Sequence, residues 1–411
     1  MSKWYPGKAI TKSVVMSNTI SGASMDFTEL VFEISVQASL YDYTSFCEVT
    51  VFDAQNFLSN FPVEAGNAIK IKVEYSSGMK EYEFYVTKVK DIVQKDKERM
   101  YTIEAISKLG FESMSKKWSA AYYGTTSQMA RNIFDQFGGG KVGIWDASKG
   151  IRTFVSPNWT PLKALGYLAG ASISTDGKNR MVFFEDTEQR FYFCPVETLG
   201  KQGSKLTYTY NQYTTDQERG TWDDDKILKT PYSLKHIEEY NWLDAVNRGN
   251  LSTAVIQTDV ARKSLNYWYF NYWEQWDQTF HLNPKPLWNH QEIDPGKIGV
   301  RNHFNNWVNW DQDYMLEDDS ISRPSNIGTG QTIELVVAGN QFVDVGQVIT
   351  VNIPPPEPEA KQNGGKRAKY DVSWSGKYYI LAKRDVYYKN KAEKTMALTC
   401  VKESLMESDA T

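Results

Sequence analysis

One nine-residue pattern is written twice in this chain, and no other feature constrains its fold as strongly. Residues 63–71 read VEAGNAIKI and residues 343–351 read VDVGQVITV. Valine, an acid, a small apolar residue, glycine, a polar residue, a small apolar residue, isoleucine, a polar residue and a branched apolar residue follow in one order, 280 positions apart. A longer block follows each. Residues 84–105, FYVTKVKDIVQKDKERMYTIEA, lie over residues 379–400, YILAKRDVYYKNKAEKTMALTC, at an offset of 295, with apolar positions on apolar positions and a charged turn on a charged turn. The two offsets differ by 15, so the later copy carries 15 additional residues between its blocks, where PPPEPEAKQNGGKRA lies. A chain of 411 residues exceeds one ordinary core, and internal similarity of this kind predicts a duplicated unit.

The unit is β. Phe32, Ile34, Val36 and Ala38 alternate with Glu33, Ser35 and Gln37, and Ile69, Ile71, Val73 and Tyr75 alternate with Lys70, Lys72 and Glu74. A half-exposed antiparallel sheet closed into a barrel is the expected result. The same pattern resumes in QTIELVVAG, VGQVITVNI, GKYYILAKRDVYY and KTMALTCV after residue 330. TVFDA at 50–54 resembles IQTDV at 256–260, which places the start of the second copy near 230 and an interruption at 273–329. Between the copies the period changes. YYGTTSQMARNIFDQFGGG predicts a helix over 126–137, capped by Thr125 or Thr126, with Met129, Ile133 and Phe137 on one face and Gly138 at its end. SPNWTPLKALGYLAGAS predicts a second over 161–171, with Thr160 as cap, Pro161 as first residue and a stripe of Leu162, Leu165, Leu168 and Ala169. RMVFFED and RFYFCPV form a strand pair. The fold class is mainly β with α+β: two related antiparallel β-barrels, the second split, plus a small mixed α/β middle domain. The divisions are 1–108; 109–229 with 273–329; 230–272 with 330–405; and a tail, 406–411.

Several function classes are excluded or weakened. A formal net charge of −4 argues against a dedicated duplex-DNA binder. Cys47, Cys194 and Cys400 have neither metal-ligand spacing nor the even count of a disulfide framework, which suits folding in a cytoplasm. No apolar run approaches a membrane span or a signal peptide. No GxSxG, phosphate loop or zinc-protease motif occurs, and the GGG at 138–140 lacks the lysine a phosphate cradle needs. His281, His290 and His303 share a segment with Glu292, Asp294 and Asp311 but match no metal signature. The acidic runs 223–225 and 317–319 lack a calcium-loop pattern, and solvated loops or acidic contacts account for them. Neither catalytic residues nor a cofactor are therefore assigned. Residues 273–329 hold Trp273, Trp276, Trp288, Trp307 and Trp310; Trp288, Trp307 and Trp310 suit sugar stacking or, more commonly, buried anchors of an intersubunit contact.

The order of these parts resembles a known family. The first barrel, YYGTTSQMARNIF, VSPNWTPLKALGYLAGAS, MVFFED with RFYFCPV, and the split second copy ending in VDVGQVITVNIPPP and SGKYYILAKRDVYY resemble the baseplate central hub protein of contractile-tailed bacteriophages over residues 25–405. They are also similar to the N-terminal part of the type VI secretion spike protein. The hub resemblance implies a non-enzymatic homotrimer in the virion, assembled in the host cytoplasm. Its tail-tube-like domains, two per chain, would form a pseudo-six-fold ring joining the hexameric tube to a trimeric central spike. It implies contact with the tape-measure protein C-terminus, room for baseplate wedge proteins, and passage of DNA without sequence-specific binding. Because the sequence stops at Thr411, the spike is expected to be a separate chain. Candidate interface residues are Gln94, Lys95, Lys97 and Arg99 in one charged hairpin, Lys389, Lys391 and Lys394 in its equivalent, Pro354, Pro355 and Pro356 in the inserted loop, and the three tryptophans named above. The alternatives are a tail-associated glycan hydrolase and a host-surface adhesin.

Overall fold

The computed structural model describes residues 6–54, 61, 63–95, 98–176, 180–211, 223–247, 251–259, 263–274, 276–288, 300–304, 330–355 and 370–406. The first copy comprises β1 (Ile10–Ser17), β2 (Ser24–Asp26), β3 (Val31–Ser39), β4 (Phe46–Asp53), β5 (Ala68–Tyr75), β6 (Gly78–Lys95) and β7 (Glu98–Ser107). Their inward residues, among them Val14, Ile34, Val49, Ile71, Phe84 and Tyr101, form one core. Alternation is what builds it: Ile69, Ile71, Val73 and Tyr75 of β5 and Tyr101, Ile103 and Ala105 of β7 are buried, while Lys70, Lys72, Glu74, Thr102 and Glu104 between them are exposed or half-buried.

Helix α1 (Lys108–Ser115) leaves the first copy and was not legible as a helix. The middle part follows with β8 (Ala121–Gly124), α2 (Thr126–Gln136), β9 (Lys141–Trp145), β10 (Arg152–Val155), α3 (Pro161–Gly170), β11 (Met181–Glu185), β12 (Arg190–Pro195) and α4 (Val196–Lys201). Thr125 caps α2 in a reciprocal box with Gln128, worth about 1 kcal/mol. Pro161 opens α3, though the Thr160 side chain makes no capping bond. Met129, Ile133, Phe134, Leu165 and Leu168 bury against Phe183, Phe191 and Phe193 of the β11–β12 pair.

The chain then runs through β13 (Ser204–Thr209), α5 (Asp224–Lys229), β14 (Ser233–Glu238) and α6 (Trp242–Asn247), and into β15 (Ser252–Asp259), β16 (Ser264–Asn271), β17 (Lys285–Pro286) and β18 (Val300–Phe304). It ends with β19 (Gln331–Ala338), β20 (Val348–Asn352), β21 (Gly376–Tyr388), β22 (Glu393–Lys402) and β23 (Ser404–Leu405). The second core is built from Ile333, Leu335, Ile349, Tyr378, Met396 and Leu398.

The two copies are not confined to separate barrels. One 13-stranded sheet runs β14–β19–β22–β21–β3–β4–β7–β6–β5–β1–β2, with β20 between β21 and the parallel β13. The joint is the antiparallel β21–β3 ladder, Ala382↔Ser39 through Tyr388↔Glu33.

The second copy is not built from the strands that the alignment of 256–260 picked out. Its first strand, β14, pairs with β19, and these stand where β3 and β4 stand in the first copy. β15 and β16 form a separate sheet with β18, so the alignment of 256–260 with 50–54 is not a structural equivalence. Two isolated amphipathic strands share a period without sharing a place, which is how the alignment misled.

The repeat offset is refined by the same ladders. Val86 N–H donates to Asn67 O and Gly66 N–H to Val86 O; Ile380 N–H donates to Gln347 O and Gly346 N–H to Ile380 O. Val86 therefore answers to Ile380, an offset of 294 rather than 295, and a β-bulge follows in each copy, between Val86 and Lys88 and between Ile380 and Ala382. Gly66 and Gly346 make the tight entry to their strands at φ of +93° and +80°, a conformation that disfavours any side chain.

Candidate assembly interface

Three parts of the chain meet at the β21–β3 joint. Lys383, Asp385 and Tyr387 alternate on the buried face of β21. Lys383 Nζ donates to Thr187 Oγ1 at 2.9 Å and lies 3.5 Å from Asp344 Oδ2 and 3.3 Å from Asp385 Oδ2. Thr187, in the β11–β12 turn, donates its hydroxyl to Asp344 Oδ2 at 2.8 Å. Lys394 Nζ lies 2.8 Å from Asp385 Oδ2. The Tyr75 hydroxyl of the first copy meets the Tyr387 hydroxyl of the second at 2.7 Å, and Tyr82 at 3.2 Å.

Burial alone would strip the charge from both lysines. At Lys383 burial is more than offset by Asp344 and Asp385, and its pKa stays above the usual range. At Lys394 burial wins over Asp385 and the pKa falls to about 8. Burial also opposes ionisation of Asp344, but Lys383 and Thr187 hold its pKa below the ordinary value. The middle part grips the first copy differently. Glu185 is fully buried, accepts a 2.7 Å bond from Ser45 N–H, and is pushed up to about 8 by burial. The arrangement joins the three parts through Thr187, Tyr75 and Tyr387; Asp385 Oδ1 has no hydrogen-bond partner among the described residues, and Lys383 lines a surface cavity of about 490 Å³ with Ala38, Ser39 and Arg384.

The candidate residues separate into three groups. Gln94 is exposed and accepts from Arg99 Nη2 at 3.2 Å, Lys95 closes the hairpin opposite Glu98, and Lys391 is exposed. Four antiparallel steps, β21–β3–β4–β7–β6, give β21 and β6 the same direction, so both hairpins point to one end of the sheet. Pro354 and Pro355 follow β20, half-buried. A second group is buried or bonded within its own chain. Lys394 is 4% exposed and belongs to the joint, and Lys389 donates to Thr28 O at 2.5 Å. Trp288, 6% exposed, packs edge-on against Tyr240 and Trp242 in a core with Ala245 and Leu251. Strand pairing sets the second hairpin against the first copy, and Trp288 clusters with Trp242, Trp273 and Trp276. The third group, Lys97, Pro356, Trp307 and Trp310, lies outside the described residues, as do His290, Glu292, Asp294 and Asp311.

His281 stacks on Trp276 and contacts Glu403 at 3.1 Å, a packing role. Among the described residues no three His, Cys, Asp or Glu side chains are grouped to hold a metal. No helix among them is long and apolar enough to cross a membrane. The residues of the joint escaped the sequence reading, although K-x-D-x-Y at period two in 383–387 was the available signal of a buried polar face.

No protein-family model matches the sequence, and no curated protein matches it. Solved structures do. The 43 kDa tail protein of prophage MuSo2 from Shewanella oneidensis matches with a TM-score of 0.58 at 11% identity, over 95% of this chain and 98% of that one. A tail protein from Neisseria meningitidis matches with a TM-score of 0.55 at 8% identity, over 98% of this chain and 97% of that one. The chain has the fold of these phage tail proteins along almost its whole length.

Proposed function

We propose that this protein is a structural, non-enzymatic hub of a phage tail baseplate, located in the virion. Three chains place six related units around a ring that joins the hexameric tail-tube ring to a trimeric central spike, touches the tape-measure protein C-terminus and the wedge proteins, and leaves a channel for DNA. The observation that carries this reading is the β21–β3 joint, in which one copy of the unit is bonded edge to edge with the other. Contact between unlike edges of one unit is heterologous, and it builds a ring where the repeated rotation closes. Next to the joint the Tyr387 hydroxyl of the second copy meets the Tyr75 hydroxyl of the first at 2.7 Å, beside the buried Lys383, Asp385, Lys394 and Asp344 of the second copy. The likeness to tail proteins supports the setting.

The test is the mass of the purified protein in solution, with and without the spike. A trimer in either case is the expected result. A persistent monomer or dimer in both overturns the proposal, and turnover of purified peptidoglycan would replace it with the hydrolase alternative.

A further inference from the structure

The joint inside the chain leaves two matching strand edges unused. β6 is released by β5 at Val86, as β21 is released by β20 at Ile380. Beyond that point β21 takes β3 as its neighbour, whereas residues 88–95 of β6 have no ladder partner on that side among the described residues. β14, which answers to β3, has none on its outer side either. Such edges present rows of unpaired N–H and C=O groups.

We infer that residues 88–95 of one chain pair antiparallel with residues 233–240 of a second copy, continuing the sheet from chain to chain. Resting on the ring reading above, this names the contact by which the ring closes. The register follows from the ladders. Lys88 and Lys90 answer to Ala382 and Arg384, and Val93 to Lys95 answer to Val386 to Tyr388. Ser233 to His236 answer to Glu33 to Val36, and Glu238 answers to Gln37. Transferring Arg384↔Gln37 puts Lys90 opposite Glu238; transferring Val386↔Ser35 and Tyr387↔Ile34 puts Val93 opposite Lys235 and Gln94 opposite Leu234.

The irregularities are the strongest support. β6 has one more residue between Lys90 and Val93 than β21 has at the same place, and β14 has one more, Ile237, between His236 and Glu238 than β3 has. In the transferred register these two additions face each other. Asp91 then lies opposite Ile237 and Ile92 opposite His236, and the ladder from Lys88 to Lys95 runs without a slip. A bulge in only one of the two strands would have broken the register. Chemistry agrees with geometry. Ile92, Val93, Ile237 and Tyr240 are 56, 57, 49 and 56% exposed. The β6 edge carries Asp91 with Lys88 and Lys90, which are ion-paired in their own chain to Glu104 and Glu48, and the facing edge carries Glu238 and Glu239 with Lys235.

The test is a full-length chain with Gln94→Cys and Leu234→Cys. Opposed strand residues sit at a Cα separation a disulfide can span, and the three native cysteines are buried. Mild oxidation should convert most of the protein into linked dimers and trimers. The pair Gln94→Cys with Glu238→Cys, four positions out of register and about 13 Å away, should give none. Should the variants misfold, hydrogen exchange on the unaltered chain decides: amides of 90–94 and 234–238 should slow at least tenfold on assembly. A trimer by mass with no link at 94 and 234, or with unchanged exchange there, overturns this contact while leaving the ring reading intact. A monomer overturns both.

Discussion

The two copies of the unit share strand order and inward pattern, yet their hairpin ends have opposite fates. In the first copy the described residues leading to the β6–β7 tip are exposed: Gln94, with Ile92 and Val93 more than half exposed beside it. In the second, Tyr387 and Lys394, which occupy the positions of Gln94 and Arg99, are 2% and 4% exposed and bound into the joint. Duplication supplied one surface twice; one instance became an intramolecular seam and the other stayed open. The difference shows that a repeated strand edge can be specialised by its side chains while its backbone stays the same. At the seam Tyr387 and Lys394 pack on Tyr75 of the first copy, whereas the equivalent edge keeps Lys88 and Lys90 partly exposed and ion-paired to Glu104 and Glu48.

The comparison breaks most visibly at Asp385. Asp385→Asn leaves two buried ammonium groups without their shared carboxylate, and a loss of about 3–5 kcal/mol is expected in chemical denaturation. Asp91→Asn, at the equivalent place in the exposed copy, should stay within about 0.5 kcal/mol. Equal effects would mean that the seam contributes no more than the open edge. A smaller contrast is expected at the paired glycines. A β-carbon on Gly346 would sit 2.8 Å from the buried Phe184 ring, and one on Gly66 3.1 Å from the half-buried Phe111 ring. Gly346→Ala should therefore cost about 1–3 kcal/mol and Gly66→Ala less.

The smallest effect sharpens how the middle part holds each copy. It meets the second copy through ionised Asp344 and the first through Glu185, whose pKa rises from the ordinary 4.5 to about 8. Folded protein thus binds more protons at Glu185 than unfolded protein between those values. That contribution is complete below pH 4.5 and is lost as pH rises through about 8. Stability of wild type should carry a falling component across this window, at most about 1.4 kcal/mol per pH unit, that Glu185→Gln removes. An unchanged slope in the variant would mean that Glu185 ionises freely in the folded state.

Much of this was legible in the residues. Alternation at 30–38 and 68–75 marks strands because a sheet has two faces, and Pro161 opens a helix because its missing N–H is not needed there. Helix α1 was not legible, because its short run carries no strong period, and β15 and β16 were misplaced because any half-buried strand looks like any other. Lys394 and Trp288 were read as contact residues from their type, and both are buried within the chain.

The duplication, the mainly β class and the positions of the two helices can be read from the residues alone, since local periodicity and glycine geometry are properties of neighbouring residues. Only the tertiary structure decided that β21 takes β3 as its neighbour, that Val86 answers to Ile380, and that the bulges at 91–92 and 237 compensate each other. Strand pairing is settled by backbone hydrogen bonds between segments hundreds of residues apart, and those bonds leave no period in the chain.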